Sequence, residues 1–431
     1  MRRTRPLIAL LLLALALTPF ALHATAVAQT GEQTVVRYLV PQWASSRDTR
    51  IERQIAFQSV IDSFHLRYPQ YRLEQVVGPG SQVSIAQALA DGDADAVWIN
   101  HAWYADWQAA GFFADLTDYL ADGAEAAFFD WTIEALRSVD GRLGALWHNT
   151  DTPLYFFDTT YISEAPTTWS ELRAVAEQVF VDTGKYAISY PIRNWAQYNM
   201  GMFAALGGEI FDADGRPVLF EGANRDALEQ IFDHYATIYG LGFAPASSAA
   251  ANHDQQMPPV FAGDVVAMVS NNNAELRYLR PNLPPGEVEN WSAAPLPHPD
   301  GADAGRFVAG GWVIALAANE ADPAKEAAAA AWIEHMTDVN AQRDTNKAGG
   351  WVPTRPGVIE ADPFYSDDPF MVTTVAALNA GGWVVPFNPL YPAVVTSLNE
   401  AIAQVVTGQQ TVAQALAEAE TAVMREYEAA R

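Results

Sequence analysis

Val35-Val36-Arg37-Tyr38-Leu39-Val40, Leu73-Glu74-Gln75-Val76-Val77 and Ala96-Val97-Trp98-Ile99 are three short runs, each of a length and apolarity that suits a buried strand. Between the first two, Ile51, Ile55, Ile61 and Phe64 recur at helical spacing until Pro69 ends the stretch. Thr49 and Glu52 stand before it at capping-box spacing, where hydroxyl and carboxylate satisfy each other's free backbone N–H groups. Between the second and third runs, Ser81 to Ala90 is a small-residue helix closed by Asp91-Gly92. Strand, helix, strand, helix, strand at this spacing implies a parallel sheet with helical crossovers. The class is α/β.

The alternation continues outward. A helix around Trp103 to Ala110 ends at Gly111, and Thr168 with Glu171 forms a second capping box, opening a helix that carries Leu172, Val175 and Val179. Tyr186 to Tyr190 reads as a strand, Asp214-Gly215 as a hairpin turn and Asn224 to Tyr239 as an amphipathic helix. Pro281 to Pro299 reads as a loop or linker, and Phe307 to Leu316 as a glycine-kinked strand. Asp322-Pro323 starts a further helix with proline at its first position, and Thr411 with Gln414 caps the last one. The pattern predicts two α/β lobes joined by more than one crossing.

The first residues read as an export signal. Arg2, Arg3 and Arg5 precede an unbroken apolar run from Leu7 to Leu17, too short to span a bilayer, and small residues at Ala26 and Ala28 predict cleavage before Gln29. Removing three arginines and no acids takes the formal charge from −26 to −29. That excess of acid argues against nucleic acid and against an anionic membrane surface. With no cysteine there is no disulfide, no thiol nucleophile and no residue to carry a lipid anchor, so the expected product is released outside the cytoplasm, unanchored.

Several chemistries lack their motifs. The chain has no phosphate-cradling glycine loop with Lys-Ser/Thr, no dinucleotide fingerprint, no G-x-S-x-G elbow and no H-E-x-x-H. Asp91-Gly92-Asp93-Ala94-Asp95 begins like a calcium loop, but its twelfth position is Ala102 rather than glutamate, so a turn is expected and no metal site or cofactor is predicted. His234 and His335 are read as ordinary surface or packing residues. A secreted glycoside hydrolase stays open as an alternative, because such enzymes need only two suitably placed carboxylates and this chain has 51 acids.

A set of ordered motifs resembles the family 1 extracellular solute-binding proteins of bacterial ABC importers. It comprises Phe57 to Phe64 with Tyr68-Pro69, Ala94-Asp95-Ala96-Val97, Ala110-Gly111 before Asp115-Leu116, and Asp140-Gly141-Arg142 with Ala145-Leu146. It continues through Leu154-Tyr155-Phe156-Phe157-Asp158, Pro166-Thr167-Thr168-Trp169-Ser170-Glu171-Leu172 and Phe261 to Met268. Ala294-Pro295-Leu296-Pro297, Gly310-Gly311-Trp312 and Val352-Pro353-Thr354-Arg355 complete it. The likeness extends from about Val35 to Tyr427. Two departures stand out: Phe156-Phe157 replaces a polar crossing segment, and Ser270-Asn271-Asn272-Asn273 stands where the family often places a tryptophan near a glycine.

The resemblance implies a two-lobed periplasmic-binding-protein fold of type II, each lobe a mainly parallel sheet flanked by helices, with the ligand cleft between them. The expected division is 29–154 plus 309–356 for the first lobe and 155–308 plus 357–431 for the second. It implies a binding protein rather than an enzyme, a monomer whose partners are a small solute, most simply a mono- or oligosaccharide, and the permease of an ABC importer. A polyamine or another cation is the competing solute. Ligands of open α/β sheets sit at the carboxyl ends of strands, which selects Gln42, Trp43, Asn100, His101, Asp151, Trp195 and Trp312, with Gly311 beside the last. Arg355, between two prolines, and Asn272, in the amide run, complete the candidate set. Aromatic rings suit the C–H faces of a sugar, while carboxylates, amides and arginine suit its hydroxyl pairs. Trp169 and Trp332 are expected in the core, and Trp351 and Trp383 are left unassigned.

Overall fold

A computed structural model describes residues 33–431 except 79, 303–304, 320–321 and 386. The export signal expected at 1–28 lies outside these residues. Eleven strands are described: β1 Thr34–Pro41, β2 Tyr71–Gly78, β3 Ala96–Asn100, β4 Ala145–Asp151, β5 Pro153–Asp158, β6 Ala267–Asn271, β7 Trp291–Pro295, β8 Phe307–Val308, β9 Gly310–Leu316, β10 Val352–Pro353 and β11 Gly382–Trp383. Six of them form one sheet in the order β10-β4-β9-β3-β1-β2, and three form another in the order β6-β5-β7. β8 and β11 make a short parallel pair.

The three opening runs are adjacent and parallel, with β1 between β2 and β3, as the helical crossovers require. Beyond β3 the pairing changes direction. β9 runs antiparallel to β3 and β4, β10 runs antiparallel to β4, and β5 runs antiparallel to both its neighbours. The mixed α/β class stands, but mainly parallel pairing is confined to the N-terminal end of the first sheet. The reason is connectivity: β4 and β5 are one continuous path interrupted only by Thr152, and β8 and β9 are interrupted only by Ala309. These paths pass from one sheet region to the other side by side, in opposite directions, with Asp151 opposite Gly310.

Two hydrophobic cores flank this crossing. One gathers Val36, Phe57, Trp98, Trp147, Val313 and Trp332, and the other Leu154, Trp195, Phe232, Met268, Val308 and Leu398. Burying an aliphatic or aromatic side chain contributes roughly 1.5–3 kcal/mol, so each core is a large independent source of stability. Trp169 and Trp332 are buried in these cores as expected. No helix among the described residues is long and apolar enough to cross a membrane.

Local chemistry explains where the sequence reading holds and where it fails. The boxes at Thr168–Glu171 and Thr411–Gln414 form reciprocally, and Asp322 caps the helix that starts with Pro323. Thr49 caps nothing. The helix Ile51–Arg67 begins after Arg50 with no side-chain cap; the Arg50 N–H itself donates to Asp48 Oδ1 at 3.1 Å. Its buried face carries Arg53, Ala56, Phe57, Val60, Ile61 and Phe64, so Ile51 and Ile55, at 57% and 59% exposed, point outward. Tyr186 to Tyr190 is not a strand: it makes a single bridge, Tyr186 to Val265, and then meets Pro191, which has no N–H to donate. Within the segment read as a loop, the proline-free Trp291-Ser292-Ala293-Ala294 supplies β7 at the sheet edge, with Pro295 at its end. The calcium-like run is a turn whose Asp95 pairs with Arg37 at 2.9 Å and with Lys325 at 3.1 Å.

Candidate functional site

The C-terminal ends of β1 and β3, the β4–β9 crossing and the end of β6 all open onto one cavity of about 410 Å³ between the two cores. That volume falls in the usual range for small-molecule sites. From the first core's side come Trp43, Trp103, Trp312 and Trp351, together with Asn100 and His101. From the second come Asn194, His253, Asn271, Asn273, Arg277 and Tyr391. Asp151 stands where the chain crosses.

The indoles hold one another in place. Trp43 meets Trp312 at 4.7 Å and Trp351 at 5.5 Å, edge to face, and is backed by Trp98 at 6.0 Å. Trp103 meets Trp312 at 6.2 Å in the same manner. Edge-to-face packing sets the positive rim of one ring against the negative face of the next, so the wall is ordered before any ligand arrives. Gly311 makes this possible. Its φ of 142° is open to glycine, and a Cβ there would run into the Asn149 carbonyl oxygen and the Trp147 indole nitrogen. Trp312 N–H is held by Asn149 Oδ1 at 3.2 Å, which fixes where its ring emerges.

The polar groups have distinct states. Asn100 spends its side-chain oxygen capping the following helix, accepting from Ala102 N–H at 3.0 Å. His101 lies 3.2 Å from the Gly311 carbonyl through Nδ1, and because a carbonyl only accepts, Nδ1 carries the proton and Nε2 is a buried acceptor without a partner among the described residues. Burial holds its imidazole neutral, with the pKa pushed down to about 4. Asp151 is 6% exposed, and burial pushes its carboxyl up to about 6. Its one hydrogen-bond donor among the described residues is Asn271 Nδ2, at 3.4 Å. Asn271 Oδ1 in turn accepts from the Tyr198 hydroxyl at 3.4 Å, and that hydroxyl contacts a ring nitrogen of His253 at 2.6 Å. The arginines are already paired, Arg53 with Asp48 and Arg277 with Asp254 at 3.0 Å.

Of the candidates taken from the sequence, Trp43, Asn100, His101, Asp151, Gly311 and Trp312 line this cavity, and four do not. Gln42 is exposed and donates to the Arg47 carbonyl. Trp195 is 1% exposed in the second core, against Phe232 and Tyr235, while its neighbour Asn194 lines the cavity in its place. Asn272 is buried and donates to the Gly350 carbonyl at 2.9 Å, leaving Asn271 and Asn273 to face the cavity. Arg355 packs on Phe128, 4.1 Å from the ring centre, and donates to the Thr337 carbonyl. Trp103, Arg53, His253, Arg277 and Tyr391 were not among the candidates; Trp103 was accessible, since it lies in the first turn of a helix that starts at the end of β3.

The family profile described as bacterial extracellular solute-binding protein matches residues 70–373, more than half of the chain. The chain belongs to that family. It is therefore a solute-binding protein of an extracellular family, periplasmic or secreted. This binding protein is 25% identical over 158 residues to the maltotriose-binding protein of Pyrococcus abyssi (strain GE5 / Orsay), a match spanning 36% of this chain and 34% of that relative's length. Three solved structures share its two-lobed fold. The GacH receptor of Streptomyces glaucescens GLA.O, studied unliganded and with acarbose, gives a TM-score of 0.77 at 18% identity, over 92% of this chain and 98% of its own. Maltose-bound MalE3 of T. maritima gives 0.74 at 21%, over 90% and 99%, and the cyclic alpha-maltosyl-1,6-maltose binding protein of Arthrobacter globiformis gives 0.72 at 18%, over 91% and 98%.

Proposed function

We propose that this protein captures a mono- or oligosaccharide in the cavity between its cores and delivers it, chemically unchanged, to the permease of an ABC importer. The observation that carries the reading is the wall itself: four mutually packed indoles face a carboxylate and amides across one cavity. Micromolar binding requires about −8 kcal/mol. Covering ~200 Å² of one indole at ~25 cal/mol/Å² yields a gross ~5 kcal/mol, and a few hydrogen bonds of ~1 kcal/mol each offset the ordering costs. The ligands named for the maltotriose-, maltose- and acarbose-binding proteins make α-linked gluco-oligosaccharides the first compounds to try.

Gln42, Trp195, Asn272 and Arg355 act in this reading by shaping the lobes rather than by touching ligand. The lobes are assigned as 29–154 with 309–356 and 155–308 with 357–431; the membership of the two cores supports this for most segments, while Val358, Tyr365 and Met371 gather in a small cluster of their own and Val384 and Phe387 pack on the first core. The mature protein, cut before Gln29, acts as an unanchored monomer. Titration of the purified protein with maltose, maltotriose, trehalose and glucose, followed by tryptophan emission, is expected to give a saturable change with at least one of them. Folded protein that stays silent across a broad panel of sugars sinks the sugar reading. Steady release of reducing ends at catalytic protein concentrations replaces it with a hydrolase.

A further inference from the structure

Within the cavity the polar groups nearest the crossing are acceptors that lack donors. Asp151 Oδ1 has no hydrogen-bond partner among the described residues, and Oδ2 has only the long contact from an amide. Next to it the imidazole of His101 is neutral, its buried Nε2 a lone pair without a donor among the described residues, fixed in that state by the bond from Nδ1 to Gly311. The two groups converge over Gly310, where a Cβ would stand 2.6 Å from Asp151 Oδ1 and 3.9 Å from the His101 ring. Absence of a side chain there opens the space between them. Asp151 joins no ion pair among the described residues, although both arginines lining the cavity are matched to other carboxylates. A nearly buried carboxylate without a counter-ion is costly, and a ligand that brings the missing positive charge relieves that cost. A neutral hydroxyl supplies one donor; a protonated amine supplies three and a charge, and charge-assisted bonds are roughly twice as strong as neutral ones. Trp312 and Trp43 line the same cavity, and an indole ring attracts cations over its face.

We propose that the preferred ligand is an amino-bearing sugar, whose ammonium group sits against Asp151 while the indoles cover its ring faces. This deepens the sugar-binding reading and rests on it. The acidic surface as a whole does not select the ligand; a single carboxylate at the crossing does.

The test uses matched pairs that differ only by NH₃⁺ for OH: glucosamine against glucose, and the fully deacetylated chitosan disaccharide against cellobiose. Binding is measured by calorimetry at pH 7.5 on the intact chain and on Asp151→Asn, which keeps the side chain's size. Expected is at least about tenfold tighter binding of one amino compound than of its neutral twin, with that preference abolished in Asp151→Asn. Equal or tighter binding of the neutral twins by the unaltered protein overturns the amino-sugar inference and leaves sugar capture standing. An amino preference that survives in Asp151→Asn overturns the assignment to Asp151. If neither member of any pair binds, and no other sugar does, while the thermal transition shows folded protein, the sugar reading itself fails and this inference fails with it.

Discussion

The two walls of the cavity are built on opposite principles. On the first core's side, large rings are locked by other rings: Trp43 is wedged among Trp98, Trp312 and Trp351. On the second core's side, small polar groups are tied by single hydrogen bonds, as in the sequence from Asp151 through Asn271 and Tyr198 to His253. The indole wall contributes area and shape, which discriminate weakly among sugars. The polar wall contributes directional bonds, which discriminate strongly because a buried acceptor left unpaired is penalised. If a sugar is held here as proposed, affinity and selectivity come mainly from different halves of the molecule.

Acid is the bluntest way to break that division, because both walls rest on neutral imidazoles. Burial pushes His148, packed 4.5 Å from Trp98 behind the indole wall, down to about 3, His253 to about 3 and His101 to about 4. The unfolded chain takes these protons near pH 6.5 and the folded one does not, so stability is complete above that value and is lost as pH falls from 6.5 towards about 4. Asp151 opposes this. Its carboxyl is raised to about 6, so the folded state takes that proton first and gains stability between about 6 and 4. Three groups outweigh one. Urea midpoints measured from pH 7 to 4.5 are expected to fall steadily, with fully buried His148 contributing at most ~1.4 kcal/mol per pH unit. A flat profile removes the imidazoles from the account.

Trp195→Ala separates core from wall. It is expected to cost ~3–5 kcal/mol of stability, read from urea denaturation, while leaving the affinity of the folded protein unchanged. A weakened affinity in folded protein returns Trp195 to the site. Trp312→Ala does the converse: affinity for the best sugar falls about 30-fold, ~2 kcal/mol, with little change in the ranking of sugars. Asn271→Ala and Asn273→Ala are the gentlest changes, each costing ~1 kcal/mol or about fivefold in affinity, but altering the ranking. If the ring substitution changes the ranking and the amide substitutions do not, the roles of the walls are reversed.

The division also explains what could be read from the sequence. The helical crossovers, the boxes at Thr168 and Thr411, and the strand-end positions of Asn100, His101 and Asp151 are set by local spacing, and local spacing is visible in one dimension. The rule that ligands lie beyond strand ends locates a neighbourhood but not the direction of a side chain. It therefore selected Trp195, which turns inward, over Asn194, and the amide run gave no means of telling Asn272, which bonds to Gly350, from the amides on either side. Trp351 and Tyr391 reach the cavity from segments more than 200 residues away from β1 and β3, brought there by the packing of whole helices, and no nearby pattern announces them. Thr49 failed for a smaller reason: the helix starts later, after Arg50, and no side chain caps it.

The indole wall has an optical consequence. Rings 4.7 to 6.2 Å apart exchange electronic excitation faster than any of them emits, so Trp43, Trp103, Trp312 and Trp351 behave as one chromophore. Light absorbed by any of them is emitted from whichever lies lowest in energy, and their coupled transitions split into a circular-dichroism couplet in the ultraviolet. A ligand seated against this wall, as proposed, would therefore be read through the coupled rings together, without any added dye.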